Sequence, residues 1–153
     1  MLVLSIDRFV GEYRFLSNFE PAPVAYDGVL YATVEHAYQA AKTIDVEERR
    51  AIAAIAAPGQ AKRAGRQITL RSDWESIRVG MMTDLVRAKF SRHADLREKL
   101  LATGDAELVE GNTWNDQFWG VCRGVGQNWL GRILMQVRAE LRDEAAPAAE
   151  FDE

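Results

Sequence analysis

Apolar residues at positions 34, 37, 38 and 41 follow the i, i+3, i+4, i+7 spacing of a helix with one buried face. Thr33 stands just before them as an N-cap, where its hydroxyl can accept from an unpaired backbone N–H of the first turn. A polar stripe of Glu35, Gln39 and Lys42 runs beside the apolar one. On a helix half sunk in a core, those three groups sit at the rim of whatever cleft the core leaves. Glu35 lies in the first turn, where the partial positive charge favours its ionised form. A carboxylate, an amide and an amine in one row can act on a charged intermediate. The same spacing also describes a surface helix with a capping Glu and a solvated Lys.

Around this segment the pattern predicts the other elements. The apolar run over 2–10 predicts a strand. Residues 11–21 are rich in aromatics and fit neither the helical nor the strand period. They either cover the core or stack on a flat heterocycle, with Asn18 reading its edge and Arg14 meeting a phosphate. Asp27-Gly28 between Val24-Ala25-Tyr26 and Val29-Leu30-Tyr31 predicts a hairpin. Asp45 and Glu48 form a capping box for a helix from about 46 to 56, ended by Pro58-Gly59. Residues 60–65 can make a short basic helix presenting Lys62, Arg63 and Arg66 to a phosphate or to solvent.

Ser72 and Glu75 form a second capping box. The helix it opens extends to about Phe90, with Trp74, Ile77, Met81, Leu85 and Ala88 as its buried stripe. A shorter helix over about 94–102 stops at Gly104. Residues 107–110 are expected to form a strand. The turn-rich segment 111–121 holds Trp114, Asn115, Asp116, Phe118 and Trp119, more than packing alone calls for. Asp116 could bind ribose hydroxyls or orient water while an indole stacks. Asn128 caps a last helix whose stripe is Leu130, Ile133, Leu134, Val137 and Leu141.

Composition narrows the chemistry. The 153 residues fit one domain with a real core. Cys122 is the only cysteine and there are two histidines, so neither an intrachain disulfide nor a Cys/His zinc site is expected. No ligand spacing argues for a metal, and no cofactor is implied. No apolar run reaches membrane-spanning length and the N-terminus lacks the plan of a signal peptide, so the expected home is the cytoplasm. The net charge of −4 gathers at the C-terminus, where residues 143–153 hold five acids and no base. The domain is therefore read as 1–142, nearly neutral, with a disordered acidic tail over 143–153. That body suits a small anionic ligand better than long nucleic acid.

Five segments carry a resemblance. They are Tyr13-Arg14-Phe15-Leu16-Ser17-Asn18-Phe19, the Thr33 to Lys42 helix, Asp73-Trp74 with downstream Lys89-Phe90, Asn115-Asp116-Gln117-Phe118-Trp119-Gly120, and Gly126-Gln127-Asn128-Trp129-Leu130-Gly131. In this order, from about Ile6 to Leu141, the chain resembles the NADAR superfamily, which includes the YbiA-like N-glycosidases. The resemblance implies a single α+β domain, mostly helical with a small sheet. It also implies hydrolysis of the N-glycosidic bond between ribose and a nitrogen heterocycle. In the YbiA-like members the substrates are phosphorylated ribosylaminopyrimidine intermediates of riboflavin synthesis; other members resemble enzymes that remove ADP-ribose from guanine bases. The family glutamate maps onto Glu35, its tryptophans onto Trp74 and Trp119, and its Asn-Asp pair onto Asn115 and Asp116.

Expected catalytic groups are thus Glu35, Lys42 and Asp116. Expected substrate contacts are Arg14, Ser17, Asn18, Phe19, Gln39, Arg63, Arg66, Trp74, Asn115 and Trp119. Lys42 has two possible tasks, binding phosphate or attacking C1′ of a ring-opened sugar as a Schiff-base nucleophile. A non-catalytic ADP-ribose or nucleotide-binding module is the reading from another class. Glu35 separates the two, because a carboxylate facing an anionic ligand would only weaken a pure binder.

Overall fold

The computed structural model describes residues 3–146. At its centre is α1 (Val34–Ala41), buried along all eight residues, Glu35, His36 and Gln39 included. Thr33 caps it as the spacing predicts, its Oγ1 accepting from the His36 N–H at 3.1 Å. The His36 ring spans from Thr33 Oγ1, 2.7 Å from Nδ1, to the Ile55 carbonyl, 2.9 Å from Nε2. The helix is not half sunk. It is enclosed by α2 (Val46–Ala53), α3 (Pro58–Ala64) and α4 (Trp74–Arg92), so its polar stripe faces an interior cavity.

The hairpin forms as expected. β2 (Val24–Tyr26) and β3 (Val29–Tyr31) pair antiparallel, with Val24 opposite Tyr31. Asp27 and Gly28 take φ of 48° and 80°, the left-handed pair that a two-residue turn needs. The expected strand over 2–10 shrinks to β1 (Ser5–Ile6), parallel to β4 (Glu107–Leu108). A third parallel pair joins β5 (Gly111–Asn112) to β6 (Val121–Cys122). Gly11–Leu16, which matched no period, is a 3-10 helix; its tighter turn has neither spacing.

Three capping expectations are corrected. Asp45 does cap α2, accepting from the Glu47 and Glu48 N–H groups, but Glu48 does not close the box. Its carboxylate accepts from the Thr69 N–H at 2.8 Å and from Thr43 Oγ1 at 3.2 Å. α2 ends at Ala53, and Pro58 opens α3 as its first residue. The Ser72–Glu75 box does not form, because α4 starts at Trp74 and the Asp73 carboxylate is taken by Arg71, Nε to Oδ1 at 2.6 Å. Asn128 precedes α6 (Trp129–Ala145) but leaves its N-terminus uncapped. Its amide instead holds the end of β4 and the residues after it, Oδ1 accepting from the Glu110 N–H at 3.0 Å and Nδ2 donating to the Leu108 carbonyl at 2.9 Å.

α4 packs between α1 and α6, with α5 (Ala94–Ala102) beyond it. Two partners bury a rotated face of α4: Trp74, Met82, Leu85, Val86, Lys89 and Phe90, while Ile77, Met81 and Ala88 are half-buried. The α6 stripe of Leu130, Ile133, Leu134, Val137 and Leu141 is buried as expected. α6 runs on through Ala145, so the first residues of the expected tail are helical; 147–153 lie outside the described residues. The architecture is α+β and mostly helical. Among the described residues no helix is long and apolar enough to cross a membrane.

Candidate active site

A cavity of about 770 Å³ lies between α1, α3, α4, the segment 17–19 and the segment 110–119. One wall is aromatic. Tyr38 sits between Trp74, at 5.1 Å between ring centroids and tilted by 56°, and Trp119, at 5.4 Å and edge-on. Phe118 backs Trp119 edge-on at 4.9 Å, and the Arg78 guanidinium lies 3.7 Å from the Phe118 centroid. Burial raises the Tyr38 hydroxyl above its ordinary pKa, so it stays neutral.

Glu35 reaches this wall from the first turn of α1. Its Oε1 accepts from Gln39 Nε2 at 2.8 Å, and its backbone N–H donates to the Asn18 carbonyl at 3.2 Å. Burial raises the carboxyl, against the Gln39 bond and the charges of Lys62 and Lys42, while Asp116 adds to the rise. Desolvation thus outweighs the helix N-terminus that the sequence reading relied on. Gln39 Oε1 is buried beside Gly65 and has no partner among the described residues.

Five cations, Arg8, Lys42, Lys62, Arg66 and Arg78, line the same cavity with the acids Glu35, Glu75, Glu110 and Asp116. The Lys42 amine lies 5.4 Å from the Tyr38 centroid. Burial lowers its pKa, Glu35 opposes, and Lys62, Arg66 and Arg78 add to the lowering. Lys89 fixes the 17–19 segment from behind. Its buried Nζ donates to the carbonyls of Phe15 at 2.7 Å and Ser17 at 2.9 Å. Asn112 fixes the opposite segment, its amide bonding both backbone groups of Asp116, the N–H at 3.0 Å and the carbonyl at 2.9 Å. Asp116 Oδ1 then accepts from the N–H groups of Phe118 at 3.1 Å and Trp119 at 2.9 Å. One carboxylate oxygen of Asp116 is therefore spent on holding the indole in place.

The NADAR domain family matches residues 8–142. The chain belongs to the NADAR family. It is 43% identical to N-glycosidase YbiA of Escherichia coli (strain K12) over 136 residues, 87% of this chain and 84% of that one. An N-glycosidase of Nostoc punctiforme is 42% identical over 86% of this chain and 87% of its own length. A riboflavin biosynthesis protein of Vibrio vulnificus is 42% identical over 87% of this chain, which spans 37% of that longer protein. The NMR structure of E. coli YbiA superposes with a TM-score of 0.85 at 37% identity, covering 99% of this chain and 94% of that one.

Within this NADAR fold, Glu35, Lys42, Asp116, Ser17, Asn18, Phe19, Gln39, Arg66, Trp74 and Trp119 line one cavity. Arg14, Arg63 and Asn115 do not. Arg14 is exposed and pairs with Glu20 at 3.5 Å. Arg63 points to solvent from α3, and Asn115 is an exposed turn residue with φ of 65°. The sequence reading missed Glu110, Asn112 and Arg78 and gave Tyr38 no place in the cavity; of the basic residues it offered to a phosphate, it kept Arg63 in the site and not Lys62. Arg78 follows Trp74 by four residues on α4, so the helical period already placed it on the same face. Lys62 precedes Arg63, and only the register of α3 decides between them. Trp114, which the sequence reading left without a role, stands 59% exposed at the rim with the Lys62 amine 5.7 Å from its ring. Among the described residues no group of three or more His, Cys, Asp or Glu is placed to hold a metal ion.

Proposed function

We propose that this cavity hydrolyses the bond between C1′ of a phosphorylated ribose and a nitrogen heterocycle, with ribosylaminopyrimidine phosphates of riboflavin synthesis as its substrate class. The chain is an N-glycosidase, the activity named for its relatives from E. coli and Nostoc punctiforme at 42–43% identity. The observation that carries the substrate reading is the buried Glu35 carboxyl, set in one cavity with an aromatic wall and five cations.

Breaking C1′–N leaves positive charge on the ribose carbon. A fixed carboxylate beside C1′ holds that charge more strongly in the transition state than in the ground state. Tyr38, Trp74 and Trp119 offer faces and edges to the heterocycle, worth about 1–3 kcal/mol per stacked base. Lys62, Arg66 and Arg78 supply charge for the phosphate. Lys42, its amine pulled below its ordinary pKa by burial, is suited to attack C1′ of the ring-opened sugar as well as to contact phosphate. A lone, buried Cys122 suits a reducing compartment, and we place the reaction in the cytoplasm.

The test is turnover of a phosphorylated ribosylaminopyrimidine and of an ADP-ribosylated guanine oligonucleotide by the protein and by Glu35→Gln, with products followed by mass spectrometry. The expected result is cleavage of the pyrimidine substrate, slowed about 100-fold or more in the variant. Cleavage of the oligonucleotide alone would replace the substrate class. Tight binding of ADP-ribose with no cleavage of either would make the cavity a binding site.

A further inference from the structure

We propose that Glu110 is the proton donor to the departing heterocycle, a second carboxyl working with Glu35 in the same cavity; the inference rests on the N-glycosidase reading above. Glu110 lines the cavity together with Glu35, Asn112 and Asp116. Its backbone is fixed on both sides. The N–H donates to Asn128 Oδ1 at 3.0 Å, and the carbonyl accepts from the Val121 N–H at 2.9 Å. Its Oε2 is buried with no hydrogen-bond partner among the described residues. That oxygen lies against Gly120, where any added Cβ would collide with it. An ionised carboxylate is costly with a bare buried oxygen, whereas the neutral acid loses less and has an O–H to give.

The surroundings divide the two carboxyls. Glu35 on α1 receives the Gln39 amide and faces Lys42 and Lys62. Glu110 faces Asp116 and Glu35, with Lys62 of α3 opposing them. Burial first, then Asp116 and Glu35, raise Glu110 to about 7 against the Lys62 charge and the Asn112 amide. Burial raises both carboxyls, but the Gln39 amide and two ammonium groups favour the charged form of Glu35, whereas the nearby carboxylates favour the neutral form of Glu110.

The step balances. The C1′–N bond breaks with its electron pair leaving on nitrogen, and nitrogen takes the Glu110 proton. A water oxygen forms the new bond to C1′ and its released proton passes to Glu35. Exchange with solvent then restores both carboxyls. If the Lys42 amine bonds C1′ first, the departing nitrogen still needs the Glu110 proton.

The experiment measures kcat/KM against pH for the full chain and Glu110→Gln on two substrates. One is a ribosylaminopyrimidine phosphate. The other is 4-nitrophenyl riboside 5-phosphate, whose leaving group departs as its anion. For the pyrimidine, the wild type should lose activity above a midpoint near 7, and Glu110→Gln should be slower by about 100-fold or more with that alkaline limb absent. For the nitrophenyl substrate, the deficit should shrink to within about tenfold, and the wild type itself should show no such limb. Equal deficits on both substrates, with the limb kept in the variant, would reduce Glu110 to shaping the cavity. If Glu110→Gln does not fold, the wild-type comparison decides alone, since the same limb on both substrates overturns the proposal. A wild type that cleaves neither substrate fails the N-glycosidase reading itself, which is a different outcome.

Discussion

Asp116 shows how one side chain can carry a different task from the one its neighbours suggest. Its place beside Trp119 suggests a ligand for ribose hydroxyls, yet Oδ1 accepts from two backbone N–H groups and thereby sets the Trp119 ring. An Asn at this position keeps an acceptor oxygen of the same reach; an Ala does not. Asp116→Asn should therefore retain kcat/KM within about tenfold. Asp116→Ala, losing two bonds to a charged acceptor at about 1.5 kcal/mol each, should fall about 100-fold, chiefly through KM. Steady-state kinetics of both variants checks this, and an Asn variant as impaired as the Ala variant would mean that the charge itself acts on the substrate. Asn115 next to it serves the turn through its left-handed backbone, a conformation Asn tolerates better than most residues. Nothing local to an Asn-Asp pair separates a ligand contact from a turn, so the sequence treated both as site residues.

At the scale of elements, the helices and the hairpin were legible because each rests on spacing within a few residues. Thr33, the α6 stripe and Asp27-Gly28 all behave as their patterns require. Two capping readings went astray through long-range partners: Glu48 turned to Thr69, and Asn128 was drawn to Glu110 and Leu108. Lys89 belongs with these. It lies on the buried face of α4 and bonds carbonyls more than seventy residues away, linking that helix to the wall of the cavity. Burial pulls its pKa from 10.5 to about 7. Between these values the unfolded chain binds the proton and the folded chain does not, so the Lys89 contribution makes stability rise with pH over that window and stay flat below it. Lys89→Met removes the titration and strands two buried carbonyls, at about 1–3 kcal/mol each. Urea unfolding at pH 6, 7.5 and 9 should show the advantage of the wild type over Lys89→Met growing above pH 7. Parallel pH profiles for the two proteins would mean that Lys89 stays charged in the fold.

For the molecule as a whole, charge is sorted by place. The chain carries −4 overall, yet Lys42, Lys62, Arg66 and Arg78 converge on one cavity. Composition alone gave no sign of this, because it does not say which bases and acids meet in one cavity, here five bases and four acids. A cluster of this kind attracts an anionic substrate over a distance that salt shortens, from about 10 Å at 0.1 M to about 3 Å at 1 M. For a phosphorylated ribosyl substrate, KM should rise about tenfold between 20 mM and 500 mM salt as the attraction is screened, with kcat nearly unchanged. The same compound without its phosphate should show a high KM that salt barely moves. Arg66 and Arg63 make an internal comparison on α3 and its end, since both are exposed and basic but only Arg66 lines the cavity. Loss of one charge-assisted phosphate contact, about 1.4 kcal/mol, should raise KM about tenfold in Arg66→Ala. Arg63→Ala should stay within about twofold, because general surface charge acts weakly at that range. Equal effects of the two substitutions would place the attraction in the overall field of the basic helix and not in the cavity, and the phosphate would then have no defined seat among the cations that line it.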